Sequence, residues 1–255
     1  MSGRLRCAAA LSAWLGLLVF ADVAGAQALR VAAASDLQAA LPPVIARFEQ
    51  QTGLRVQPTF GSSGNFFTQI QNGAPFDVFL SADIEYPRRL HAAGLGSAVT
   101  SYAIGRLVLW TRRDSGLDIA RGLASIVDAR VRRIAVANPR HAPYGRAAVA
   151  ALRAQGVYDR VQARLVFGEN ISQTAQFVQS GNADVGLIAL SLAVGLTLES
   201  AGTYVEIPAS LHPPIEQGAI VLTGARDAAA ASRFLDFLVR PETRAQLERA
   251  GFDAR

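Results

Sequence analysis

The 255-residue chain has no lysine, one cysteine, one methionine and three histidines. Cys7 precedes the first apolar run, so the body of the chain has neither a thiolate nor a disulfide, and its core alone must hold it together. His91, His141 and His212 lie far apart and show no metal-ligand spacing. There is no GK[ST] phosphate loop and no GxGxxG, the usual nucleotide-binding signatures. The basic residues are all arginine, dispersed with short pairs such as Arg112-Arg113 and Arg132-Arg133, and the net charge is only +5. A nucleic-acid binder would cluster its cations among aromatics, so no nucleic-acid partner is expected. Beyond Phe20 no apolar run is long enough to cross a bilayer.

What is present begins with an export pattern. Arg4 and Arg6 precede the apolar run Leu11 to Phe20, and Ala24-Gly25-Ala26 and Ala26-Gln27-Ala28 both offer small-x-small cleavage sites. The reading is a signal peptide over 1–28, with a cut after Ala26 as the alternative, and a soluble exported product of about 227 residues.

Short apolar runs then alternate with helical patterns. Strands are expected at 30–34, 55–60, 77–81, 106–111, 133–137, 165–167, 185–189, 203–207 and 217–222, and helices at 37–51, 64–71, 86–93, 145–155, 171–180, 228–239 and 242–250. This order predicts α/β architecture with mainly parallel sheets flanked by helices. Two extended stretches, 99–111 and 203–222, read as crossings between two lobes. Lobe one is then 29–105 plus 219–255, and lobe two is 106–218.

Ligands of open α/β sheets sit beyond the carboxyl ends of the strands, where helices begin. Four such turns stand out. The first is Ala34-Ser35-Asp36, with Ser35 and Gln38 at capping-box spacing. The second is Gly61-Ser62-Ser63-Gly64. The third runs from Pro139 to Gly145, and the fourth is Glu169-Asn170-Ile171, where Asn170 caps and Gln173 sits three residues on. First-turn N–H groups lack intrahelical partners and carry partial positive charge, so each turn can donate to an anion. Glycine at 61, 64 and 145 allows close backbone approach. Two turns fall in each lobe, and a cleft between the lobes would gather neutral donors around one small anion. Two orientations are open to Asp36: outward along the helix start, or inward, where it would repel that anion. Asp83 either caps the helix from Tyr86 or lines the cleft. A secreted serine hydrolase is the alternative from another class, with Ser62 or Ser63 as nucleophile and His141 as base, but the five-residue nucleophile elbow is missing.

The blocks Ala32-Ala33-Ala34-Ser35, Phe60-Gly61-Ser62-Ser63, Gly73-Ala74-Pro75-Phe76-Asp77 through Ser81-Ala82-Asp83, and Asn138-Pro139 with Pro143-Tyr144-Gly145 resemble the periplasmic molybdate-binding proteins of ABC importers. That resemblance implies a hinged type II periplasmic binding protein fold, and a monomer with no catalytic activity and no resident cofactor. It implies molybdate, and with it tungstate, as ligand, and an inner-membrane ABC permease as partner. Molybdenum would enter only as its oxyanion. The implied ligands are Ser35 and Ser63, through hydroxyl and backbone N–H, and the backbone N–H groups of Tyr144 and Ile171. Gly61, Ser62, Gly145, Asn170 and Ser191 are supporting candidates. Some members of the family add a tyrosine hydroxyl where this chain has Ala189; either Ser191 or Tyr144 substitutes for it, or the site works with fewer bonds. Sulfate or another oxyanion is the alternative ligand.

Overall fold

The computed structural model describes residues 28–253, so all of the expected signal segment except Ala28 lies outside the described residues. In chain order the elements are β1 (Leu29–Ala34), α1 (Leu41–Thr52), β2 (Val56–Gly61), α2 (Ser63–Gln71), β3 (Val78–Ser81), α3 (Glu85–Ala92) and β4 (Thr100–Gly105). The chain continues through β5 (Leu107–Arg112), β6 (Ile134–Ala137), α4 (Pro143–Ala154), α5 (Tyr158–Val161), β7 (Leu165–Gly168), α6 (Ile171–Gln179) and β8 (Val185–Ala189). It ends with α7 (Leu190–Ala193), α8 (Leu196–Ala201), β9 (Gly202–Glu206), β10 (Ile215–Val221), α9 (Ala228–Leu238) and α10 (Pro241–Arg249).

The strands form two five-stranded sheets, β2-β1-β3-β10-β4 and β7-β6-β8-β5-β9, each the centre of one lobe. Both sheets are more mixed than the alternating pattern suggested. The β1–β2, β1–β3, β6–β7 and β6–β8 pairs are parallel, and every pair made by β5 or β10 is antiparallel. A strand–helix–strand crossover gives parallel neighbours, whereas β5 and β10 follow extended connections that carry no such constraint.

Helix patterning explains the packing. α1 buries Leu41, Val44, Ile45 and Phe48 along one stripe. Phe48 meets Phe234 and Phe237 of α9 edge-on, with ring centroids 5.1 and 5.3 Å apart. In the other lobe β5 is buried along almost its whole length, including Trp110, as a central strand covered on both faces should be. Gly53 closes α1 at φ 71°, with its N–H on Glu49 O at 2.9 Å, a left-handed stop that glycine adopts without strain.

Only Arg106 separates β4 from β5, so the sheets meet at a short joint. The Arg106 guanidinium pairs with Glu206 at the end of β9 and lies 3.5 Å from Asp253. Asp253 in turn exchanges two backbone hydrogen bonds with Ile104. The outward crossing, the return crossing and the end of the chain are thereby tied at one place.

Candidate functional site

Strand register brings the four turns together. Ala34 pairs with Gly61 at the carboxyl ends of β1 and β2, so the turns carrying Ser35 and Ser63 start side by side. Ala137 pairs with Gly168 at the ends of β6 and β7, which does the same for the turns before Tyr144 and Ile171. The two pairs face one another across the lobes and enclose a cavity of about 10 Å³ for the centre of a water-sized sphere. Ser35, Ser63, Tyr144 and Ile171 all line it, together with Gly61, Ser62, Asn170 and Asp36. All four are buried, between 1% and 4% exposed. No arginine or histidine lines the cavity.

The donors differ in detail. Ser63 is the first residue of α2, and its Oγ accepts the Ala82 N–H at 3.0 Å, which leaves its own hydrogen to donate. The Ser35 hydroxyl has no protein partner among the described residues. Tyr144 is the second residue of α4 behind Pro143, and Ile171 is the first of α6, so both N–H groups belong to the unpaired first turn. Asn170 caps α6 through Gln173 N–H at 2.9 Å, as its spacing indicated.

The first turn departs from expectation. Ser35, Asp36 and Leu37 form a 3-10 turn with no side-chain cap, and the only bond between Ser35 and Gln38 is a backbone one of 3.3 Å. The long helix starts later, at Leu41, with Pro42-Pro43 in its first turn, where fixed φ and a missing N–H are tolerated. Ser35 therefore presents its hydroxyl and local backbone, without a full helix dipole behind it.

Three supporting candidates are placed differently. Ser191 is off the cavity, because its hydroxyl donates to Asp36 O at 2.8 Å as a buried link between the lobes. Gly145 is also off the lining, and a Cβ there would collide with the Ala137 carbonyl. Ser62 lines the cavity, but its hydroxyl is committed to His141 O at 2.7 Å. Ala189 ends β8 fully buried, and neither it nor Ser191 adds a hydroxyl to the cavity wall.

The inward orientation of Asp36 is the one observed. The residue is fully buried, and its Oδ2 accepts from the Gln217 amide. Burial pushes its pKa up to about 6, against lowering hydrogen bonds from Gln217 and Tyr144.

Interlobe contacts at the rims were not visible in the sequence. Gly64 N–H also bonds His141 O, at 2.9 Å, and Asn65 donates to Glu169 at 2.7 Å. On the other side Asp83 is not the N-cap of α3, which is Ile84; its Oδ1 accepts Glu85 N–H at 2.9 Å from one residue further out, while its Oδ2 pairs with Arg146 across the cleft. Tyr86 also accepts from Arg146, at 3.1 Å.

The hydrolase pairing does meet in space: His141 Nδ1 is 3.0 Å from Ser62 Oγ and Nε2 is 3.5 Å from Glu169. The Ser62 hydroxyl, however, also lies 2.7 Å from the His141 carbonyl, a partner it would have to give up for Nδ1 to take its proton.

A family profile described as bacterial extracellular solute-binding protein matches residues 29–253. The molybdate-binding protein ModA of Azotobacter vinelandii is 37% identical over 241 residues, 93% of this chain and 94% of its own. That of Rhodobacter capsulatus is 40% identical over 211 residues, 81% of each chain. The solved structure of an Azotobacter vinelandii periplasmic molybdate-binding protein superposes with a TM-score of 0.83 at 33% identity, covering 89% of this chain and 99% of that one. These relatives are named as binding proteins, and this chain, their homologue over most of its length, is not an enzyme. The two-lobed fold and the full-length matches together place the chain among the bacterial extracellular solute-binding proteins, in the ModA group.

Proposed function

We propose that the protein captures molybdate in the periplasm, closes on it between its two lobes, and delivers it to an inner-membrane ABC importer. One observation carries the reading most directly: four turns far apart in sequence converge on a single buried cavity whose donors are neutral. A tetrahedral dianion accepts every hydrogen bond, and uncharged donors in a dry site act at low dielectric, where each is strong. Ser35 and Ser63 would give hydroxyl and backbone N–H, and Tyr144 and Ile171 backbone N–H. Membership of the ModA group supports the choice of anion. The closure seen here suits a water-sized group, so a bound oxyanion would widen the space between the donor turns while the rim contacts of Gly64 and Ser62 with His141 are kept.

Selectivity then follows from size. Sulfate has the same charge and shape with shorter bonds, and would leave donors out of reach. Tungstate matches molybdate closely and binds too. The test is a melting-temperature screen, because a ligand of the folded state alone adds RT ln(1 + [L]/Kd) to stability. Molybdate and tungstate raise the melting point at micromolar levels, and sulfate and phosphate leave it unmoved. Equal shifts for all four anions, or none for any, would reject the assignment. Ser35→Ala and Ser63→Ala should each weaken molybdate binding, by about 1.5–3 kcal/mol if each hydroxyl donates to a charged oxygen. Unchanged affinity in both variants would reject the donor set.

A further inference from the structure

Asp36 lines a cleft read above as an anion site, and its carboxyl is fully buried against Gln217 and Tyr144. Its Oδ2 is satisfied by Gln217, and Oδ1 has no completed hydrogen bond. The Tyr102 hydroxyl donates to Gln217 Oε1 at 2.7 Å, which holds the amide with its NH2 toward Asp36. From the opposite lobe the Tyr144 hydroxyl reaches the same carboxyl; it too is fully buried and has no completed bond. Gly105, at the joint between the sheets, leaves the space this phenol fills, since a Cβ there would strike the Tyr144 oxygen. Two buried polar atoms from facing lobes are therefore left to one another.

We propose that anion capture is coupled to the uptake of one proton by Asp36, whose neutral acid then bridges the closed cleft to Tyr144. The proposal rests on the anion-binding reading of this cleft.

The surroundings of Asp36 contain no cation to compensate a negative charge, only neutral hydrogen-bond donors from Gln217, Tyr144 and the local backbone, and burial outweighs them. The groups facing the carboxyl are Gln217 of β10, Tyr102 of β4 and Tyr144 of α4. α6, α7 and β2, also packed on this turn, carry no titratable residue at all. Arg30, the one charge on β1, sits at the far end of that strand, and Glu216 falls on the other face of β10 from Gln217. Arg146 of α4 is turned to Asp83 and Tyr86. In an open cleft water solvates the ionised carboxylate. Closure strips that water and sets a dianion nearby, and both effects disfavour the charge.

The sign follows from linkage. Burial lifts the closed-state pKa to about 6, above the ordinary 3.8 of a wetted carboxyl, so the protonated form favours closure. The gain is present on the acid side and fades as pH rises through about 6. Between about pH 8 and about pH 5.5 these two values give about a fourfold rise in affinity, with about half a proton taken up per anion near pH 6.

The experiment is calorimetric titration of molybdate into the purified protein across that pH range, in buffers of contrasting ionisation enthalpy, with Asp36→Asn alongside. Asparagine mimics the neutral acid. The expected result is the acid-side gain with net proton uptake in the wild type, and a flat profile without uptake in the variant. Affinity that ignores pH, the absence of proton uptake, or a variant that keeps the wild-type slope overturns the coupling. If the variant does not fold, the wild-type proton count decides. Should molybdate give no binding at any pH, the choice of molybdate fails, and tungstate and sulfate go through the same titrations. A proton-linked signal with either keeps the coupling, and silence with all three ends both readings.

Discussion

Gly64→Ala separates closure from folding. Gly64 is the second residue of α2 and has an ordinary helical φ, so alanine fits the lobe itself and favours the helix by up to about 1 kcal/mol. Across the cleft the position is different. An added Cβ would lie 2.6 Å from His141 O and 2.8 Å from its Cα and Cβ, where ordinary contact begins near 3.4 Å. The obstacle is backbone of the facing lobe, so no rotamer change relieves it, and the lobes must stand off by most of an ångström. That gap breaks the Gly64 N–H bond of 2.9 Å and the Ser62 bond of 2.7 Å, both to the same carbonyl. At about 1 kcal/mol for each bond, plus about 1 kcal/mol or more for imperfect packing, closure loses about 2–4 kcal/mol. Molybdate affinity should therefore fall by a factor between about 30 and about 1,000. Titration calorimetry reads the affinity, and a thermal melt of the ligand-free protein reads the fold. Affinity within about threefold of wild type, or a marked fall in the ligand-free melting point, would refute the reasoning.

Arg146→Ala removes the opposite clasp. The Asp83–Arg146 pair is 26% and 39% exposed, so water screens it, and its loss should weaken binding by less than about fivefold, an effect that shrinks further in high salt; stopped-flow release rates at two ionic strengths check this. Asp77→Asn tests the fold away from the cleft. Burial alone would raise the Asp77 pKa, but hydrogen bonds from the Arg226 side chain and from the Arg30 and Arg226 N–H groups outweigh it and hold the carboxyl below its ordinary 3.8. This stabilisation is present above about pH 4 and is lost as pH falls further, so the variant should melt lower at neutral pH and show a shallower acid-side decline. Its anion affinity should stay at the wild-type level, because Asp77 lies at the amino end of β3, away from the turns; a large loss of affinity would contradict that placement.

The sequence made the two-lobed α/β plan legible because apolar runs and helical stripes alternate cleanly, and because glycines punctuate the helix ends. Val185–Ala189 was read to the residue. The convergence of Ser35, Ser63, Tyr144 and Ile171 was legible too, since strand-to-helix turns share one edge of a parallel sheet whatever the register. The capping box at Ser35 misled, because spacing alone does not reveal that Pro42-Pro43 delay the helix. Asp36, Gln217 and Tyr102 are separated by up to 181 positions, and no local pattern links a buried carboxyl to its amide partner. Arg146 was equally silent, because its partners lie in the other lobe and depend on how the lobes close, and His141 stood out only as a base for Ser62 or Ser63, not as the carbonyl that Gly64 N–H meets.

The arginine at the joint has a mechanical consequence. Two strands passing separately between rigid bodies allow bending, twisting and sliding. Arg106 grips both Glu206 and the tail at Asp253, but water screens these half-exposed pairs as it does the Asp83–Arg146 clasp, so they bias the joint against twist and slide without barring either. Bending is then the softest motion of the joint, which favours one alignment of the jaws each time they close.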